Sequence, residues 1–463
     1  MPMPSRRTRR FTLLAVLVLL VGAIAVPAYR IALVGSGFAA KNVCSAVFVS
    51  GRAPEDALDD LRAYRSTPLD LVRVVVARDR QTATGTLFGL ARRDAVYREG
   101  LGCALAIGAS PDALRSAALP PRAAIRPAAA WPDGDADEAP PASAALARVL
   151  DEAFTESPDA PPKRTRAVVV SRAGGLVAER YAPGFSRDTP LPGWSMAKSV
   201  AAALAGSLAA DGKLALERPP PLAAWRAPGD PRAAITLAQL LRMSSGLAFD
   251  ESYEYPLSDV IQMLSATGDA AGFAAAKPLA HPPGTRFAYA SGTTNVLMQA
   301  MREALADDRA YLALPRRALF DRIGMSSALI EADASGTFVG SSLMFATARD
   351  WARFGLLALR DGTWNGRRIL PAGWMRFMTT PAPAAPEGEY AAHWWLKLRP
   401  NRGAGARAPR LPPDAYHAAG HGGQFVTVVP SRELVVVRLG HAVDRDAWDQ
   451  DAFVARVLDA LAH

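Results

Sequence analysis

Within residues 143–463, strand-like runs stand at both ends and helical patterns fill the middle. Arg166-Ala-Val-Val-Val-Ser171, the Gly174-Gly175 pair and residues 176–181 form a hairpin signature with glycine at the turn. Residues 425–429 and 434–439 read as a second pair of strands, joined by Pro430-Ser431-Arg432. Each pair needs a partner surface, and the economical solution is one sheet closed by both ends of the segment. The fold class expected is therefore α+β, with an antiparallel sheet flanked by helices plus an all-helical region. Residues 143–154 add a helix, since Leu146, Val149, Leu150 and Phe154 recur at helical spacing. With 463 residues, half of them hydrophobic, the chain can bury a sizeable core and is not disordered as a whole.

The N-terminus decides the compartment. Arg6, Arg7, Arg9 and Arg10 precede an apolar run from Phe11 to Val26, and Pro27, Ala28 and Tyr29 follow before Arg30. A basic flank before an apolar core is the pattern of a secretory signal or of an anchor whose N-terminus stays in the cytoplasm. Residues 11–29 would form about 28 Å of helix, nearly the thickness of the hydrocarbon layer. Ala23-Ile24-Ala25 offers a cleavage site, so an uncleaved anchor and a cleaved signal both stay open. Either way the rest leaves the cytoplasm; the arrangement expected is a single N-terminal anchor in a bacterial inner membrane with the catalytic domain in the periplasm, and the alternative is secretion after cleavage of a signal peptide.

The two cysteines, Cys44 and Cys103, fit an oxidising compartment, where an even count favours a bridge over two buried free thiols. The formal charge of +9 includes five Arg and no acid in the first 30 residues, leaving +4 on the remainder with no clustered basic run. Nucleic acid is not an expected partner. The division expected is a cytoplasmic tail 1–10, the anchor or signal 11–29, a small β-rich extension 30–117, a Pro/Ala-rich linker 118–142 and a catalytic domain 143–463. Strand-like runs in the extension are 45–49, 71–77 and 85–90.

The strongest chemical signal is Gly193-Trp194-Ser195-Met196-Ala197-Lys198, which opens a helical pattern running through Leu208. Ser195 and Lys198 are three apart, so on a helix their side chains meet. Serine needs a nearby base to become a nucleophile, and a lysine serves once its surroundings favour the neutral amine. Only six of the 53 basic residues are Lys, which makes Lys198 more telling than a basic residue at random. The plainer alternative is an exposed helix start with an ordinary lysine.

Two later segments argue against that alternative: Tyr289-Ala290-Ser291, and Ala419-Gly420-His421-Gly422-Gly423-Gln424 leading into an apolar strand. With them the chain resembles the serine β-lactamase-like hydrolases, a superfamily of class C β-lactamases, penicillin-binding DD-peptidases, esterases and 6-aminohexanoate-dimer hydrolases. Ser-x-x-Lys, Tyr-x-Asn/Ser and Lys-Thr-Gly or His-x-Gly occur there in this order. The likeness covers roughly residues 143–463 and implies a β-lactamase/transpeptidase-like fold.

It also implies roles. Ser195 attacks the carbonyl and forms an acyl-enzyme; Lys198 and Tyr289 share the base and leaving-group duties, with the acylation base left open. Backbone N–H groups of Ser195 and Gln424 form the oxyanion hole, and Ser291, His421 and Gly423 line the substrate. No cofactor and no metal are implied. Ser291 replaces the more usual Asn. His421 stands where β-lactamases usually carry a lysine for the substrate carboxylate, which favours small esters or amides, including 6-aminohexanoate-type linear amides, over β-lactams.

The alternatives are a peptidase acting on cell-wall D-amino-acid peptides and an idle sensor that only binds. A zinc pair at His417 and His421 needs a helix that the flanking glycines oppose. Trp394-Trp395, Tyr253 and Tyr255 are candidates for an acyl pocket or for core. Glu254 is expected to be a solvated loop acid and His441 structural.

Overall fold

The computed structural model describes residues 6–64, 67–116, 129–399 and 411–462. Two antiparallel sheets organise it. The first has strands β1 (Val72–Ala77), β2 (Thr82–Leu87), β3 (Ala91–Arg98) and β4 (Gly102–Leu105) in sequential order. The second contains β5 (Thr165–Arg172), β6 (Gly175–Tyr181), β7 (Tyr416–Gly420), β8 (Gln424–Val429) and β9 (Leu434–Gly440), in the order β7-β8-β9-β5-β6.

That second sheet is the expected one. Val436 pairs with Val170 and Val437 with Val169, so the late strands close directly on the early hairpin. β9 is buried along its whole length, as valine-rich strands covered on both faces should be. The hairpin turn is Ala173-Gly174, both at positive φ (51° and 80°), one residue earlier than the glycine pair suggested. One face of the sheet carries α3 (Ala144–Phe154) and α7 (Gln450–Ala460). Ser143 caps α3 by accepting from the Leu146 N–H, and Leu146 and Leu150 are buried. The other face carries α6 (Ala348–Leu359), whose Gly355 lies so close that a Cβ there would meet Val435 at 2.5 Å. The helical region between includes α4 (Ala197–Ala210) and α5 (Ser291–Leu305). The observed class is thus α+β, with an antiparallel sheet flanked by helices.

The N-terminal part departs from expectation. Helix α1 runs unbroken from Arg6 to Phe48 with Pro27 inside it, and α2 (Pro54–Arg62) follows. Residues 45–49, read as a strand, begin with the last turn of α1. Ala39, Ala40, Val43, Cys44 and Val47 pack on the sheet at helical spacing, a period that a five-residue window could not show. The segment 85–90 is shifted too: its strand is β2, and residues 88–90 form the turn into β3. Much of the expected linker, residues 117–128, lies outside the described residues.

A disulfide joins Cys44 on α1 to Cys103 on β4. The extension docks on the rest through Lys41, which forms a buried ion pair with Glu331, and through Asp60, which pairs with Arg166.

Candidate active site

Trp194 takes a left-handed φ of 47° in the short turn that precedes α4. For a bulky residue that conformation is strained, and it places Ser195 at the head of the helix. Gly193 permits the turn: its N–H donates to the Met344 carbonyl at 2.8 Å, and a Cβ would strike Trp351 at 2.2 Å.

Lys198 is 1 % exposed. Its Nζ donates to Ser195 Oγ at 2.9 Å, to Ser291 Oγ at 3.0 Å and to the Ser341 carbonyl at 2.9 Å. Burial pulls its pKa well below the ordinary lysine value, against the opposing charge of Glu251. The Tyr289 ring lies 4.8 Å from that Nζ, and its hydroxyl pairs with Ser195. Burial, and then the Glu251 charge, push the Tyr289 phenol far up, so it is held neutral. Trp395 packs on Tyr289 with ring centroids 5.3 Å apart, whereas Trp394 stacks on Phe354 in the core.

Ser195, Lys198, Tyr289 and Ser291 therefore meet at one point, reached from two helix starts. Glu251, which the sequence reading passed over, completes the group. Its carboxylate accepts from the Ser291 N–H at 2.7 Å and from its hydroxyl at 2.6 Å, at the N-terminus of α5. Nothing local in the sequence sets it apart from Glu254, which is exposed in the same loop.

The third motif sits differently from expectation. β7 is the edge strand, and His417 exchanges both backbone hydrogen bonds with Trp395, at 2.8 and 2.9 Å. Backbone groups of His417 therefore face out of the sheet, and those of Tyr416, Ala418 and Gly420 face β8. Gln424 is the register partner of Gly420, so its N–H is turned into the ladder, away from Ser195. His421 is the first residue of the turn after β7, and the same alternation continued by one step would give it the outward sense of His417. Gly420 is the glycine at close approach, since a Cβ there would stand 2.2 Å from the Gly193 carbonyl and 3.1 Å from the Ser195 nitrogen. Gly423 faces Arg438 instead, which a Cβ would strike at 2.3 Å. Gln424 uses its side chain to brace the turn, donating to the Gly440 carbonyl at 2.7 Å.

The His421 ring lies between Tyr253 and Tyr64, nearly parallel to both, with centroids 5.3 and 5.8 Å away. Burial among these rings pushes its pKa down to about 4, so it is neutral near pH 7. Tyr64 comes from the extension just after α2, a contribution that no local spacing signals. His417 lies on a strand with Nδ1 3.0 Å from Thr427 Oγ1, not on a helical zinc face. His441 Nε2 meets the Asp60 carbonyl at 2.9 Å, a structural contact.

The family profile described as Beta-lactamase matches residues 150–460. The chain belongs to the β-lactamase family. A 6-aminohexanoate-dimer hydrolase of Paenarthrobacter ureafaciens is 26 % identical over 343 residues, covering 67 % of this chain and 84 % of that protein. Among solved structures, a family VIII carboxylesterase has a TM-score of 0.51 at 17 % identity, covering 69 % of this chain and 95 % of its own. A penicillin-binding protein homologue from Caulobacter crescentus has a TM-score of 0.50 at 17 % identity, covering 69 % and 96 %. As a β-lactamase-family hydrolase the chain combines an intact Ser-x-x-Lys with a third motif whose side chains supply no cation.

Proposed function

We propose that this chain is an anchored serine hydrolase of small esters and linear amides, acting through an acyl-enzyme on Ser195. The carrying observation is the buried Lys198 amine 2.9 Å from Ser195 Oγ. Ser195 Oγ attacks the substrate carbonyl while its proton passes to neutral Lys198, which burial makes the better base than the neutral Tyr289 phenol. The N–H groups of Ser195 and His421 receive the oxyanion, His421 replacing the expected Gln424. On collapse the leaving amine or alkoxide takes a proton from Tyr289, which Lys198 replenishes. Water repeats the sequence on the acyl ester, releasing the acid and restoring Ser195.

The neutral His421 favours substrates without a carboxylate at that position. The 6-aminohexanoate dimer, named for the P. ureafaciens relative, makes a linear amide the first amide to assay. Residues 11–29 form the anchor, with the catalytic part in the periplasm; release by cleavage after Ala25 is the other outcome. The full chain in detergent should hydrolyse p-nitrophenyl esters or the linear amide. Failure on both, with stable labelling by a fluorescent penicillin, would move the assignment to a cell-wall peptidase.

Three variants test the assigned roles. Activity needs neutral Lys198, so kcat/KM should rise with pH through its lowered pKa. Glu251→Gln removes the charge that raises that pKa, and the rise should move to lower pH; a rise at unchanged pH sinks the coupling. His421→Ala keeps the outward N–H, whereas His421→Pro removes it at an edge position that tolerates proline. The proline variant should lose a further ~10²–10³-fold in kcat relative to the alanine variant. Equal rates would return the donor to another residue.

A further inference from the structure

Helix α1 changes surroundings abruptly. From Ala32 to Val47 it is largely wrapped by β1–β4, whereas residues 23–30 are all exposed, among them Ile24 (73 %), Val26 (60 %) and Tyr29 (51 %). The ladder register shows what stands beside the exit. Cys44 is bonded to Cys103, which pairs with Tyr97, whose N–H donates to the Gln81 carbonyl. Further along, a Cβ on Gly85 would sit 2.3 Å from the Ser36 carbonyl. The step from Cys44 to Ser36 is about 12 Å of helix. The step from Gln81 to Gly85 is about 13 Å of strand. β2 therefore runs beside α1 toward the exposed half of the helix, and three more residues, about 10 Å, bring Phe88 level with Tyr29 and Arg30. Arg93, the ladder partner of Gly85, interacts electrostatically with Tyr29, in agreement.

At that level the protein presents apolar side chains to solvent. Phe88 and Leu90 are 76 % and 77 % exposed at the β2–β3 turn. Leu71, 49 % exposed, precedes Val72, which pairs with Leu87. Seven of the ten large exposed apolar residues among those described lie on the emerging helix or on this end of the sheet. Arg30, Arg73 and Arg92 are exposed around them; Arg92 is paired with Asp94 at 2.9 Å, and Arg30 donates to Gln262 Oε1 at 2.7 Å.

We propose that this end of the β1–β4 sheet is a membrane-docking face. Phe88 and Leu90 enter the boundary between headgroups and acyl chains of the leaflet that α1 crosses, and Arg30 and Arg73 lie among the lipid phosphates. A bilayer is the occupant because the patch is continuous with the apolar surface of α1 and rimmed by arginine. This rests on the anchor reading of residues 11–29.

The test uses the full chain in vesicles of phosphatidylethanolamine and phosphatidylglycerol. With Cys44 and Cys103 bonded, single thiols introduced as Ile24→Cys, Phe88→Cys, Leu90→Cys and Val75→Cys can be spin-labelled one at a time. Relative accessibility to oxygen and to a water-soluble nickel chelate then reports depth. Ile24 should be deep, Phe88 and Leu90 at the lipid boundary, and Val75 aqueous. Positions 88 and 90 as aqueous as 75, with 24 in lipid, would overturn the docking face and leave the anchor standing. Position 24 in water as well would overturn both.

Discussion

Ser195→Ala should abolish turnover, lowering kcat by about four to six orders of magnitude, while the melting transition stays nearly where it was. The substitution removes the proposed nucleophile. It does not strand the buried amine, because Lys198 keeps Ser291 Oγ at 3.0 Å and the Ser341 carbonyl at 2.9 Å. The stability change should therefore stay within about 1 kcal/mol. Intact mass after treatment with a fluorophosphonate gives an independent reading: one adduct on the parent, none on the variant. An adduct that persists on Ser195→Ala would name a different nucleophile. No adduct on folded parent protein would point to the idle-sensor alternative.

The second large effect falls outside the cleft. Glu331 is fully buried and receives three donors from the extension: Lys41, the Ser45 hydroxyl at 2.8 Å and the Cys103 N–H at 2.7 Å. Burial lowers the Lys41 pKa and the Glu331 carboxylate raises it, so the ammonium depends on its partner. Glu331→Ala leaves a buried charge and a buried N–H unpaired, at a cost of about 3–5 kcal/mol. The urea midpoint of the full chain should fall accordingly, and kcat/KM with it, because the same extension carries Tyr64 to His421. The double variant Lys41→Met/Glu331→Gln removes the charge while leaving an acceptor for Cys103, and should recover most of the loss. An unchanged midpoint in Glu331→Ala would show that the extension is held elsewhere.

The parts of this fold written in local pattern could be read directly. The hairpin near Gly174 and the strands flanking Pro430 follow from turn chemistry and β-branched runs. The meeting of Ser195 and Lys198 follows from helical spacing alone. The course of α1 through Phe48 was legible only in a window long enough to show its period, and the valine and phenylalanine near its end favoured a strand over five residues. Glu251 and Tyr64 owe their places to tertiary contacts with Ser291 and His421, which no local spacing encodes. The proposed exchange of Gln424 for His421 rests on one non-local fact, the pairing of His417 with Trp395, which sets the alternation of N–H groups along β7.

That pairing also sets a limit on length. Trp395 caps the start of β7 on its free side, so an extended ligand laid along the strand has only the stretch from Ala419 to His421 against which to lie. A longer peptide laid along the edge would meet the Trp395 backbone, which already takes both hydrogen bonds of His417. Under the proposed acyl-enzyme reading, that edge would act as a ruler favouring compounds whose scissile bond lies close to one end.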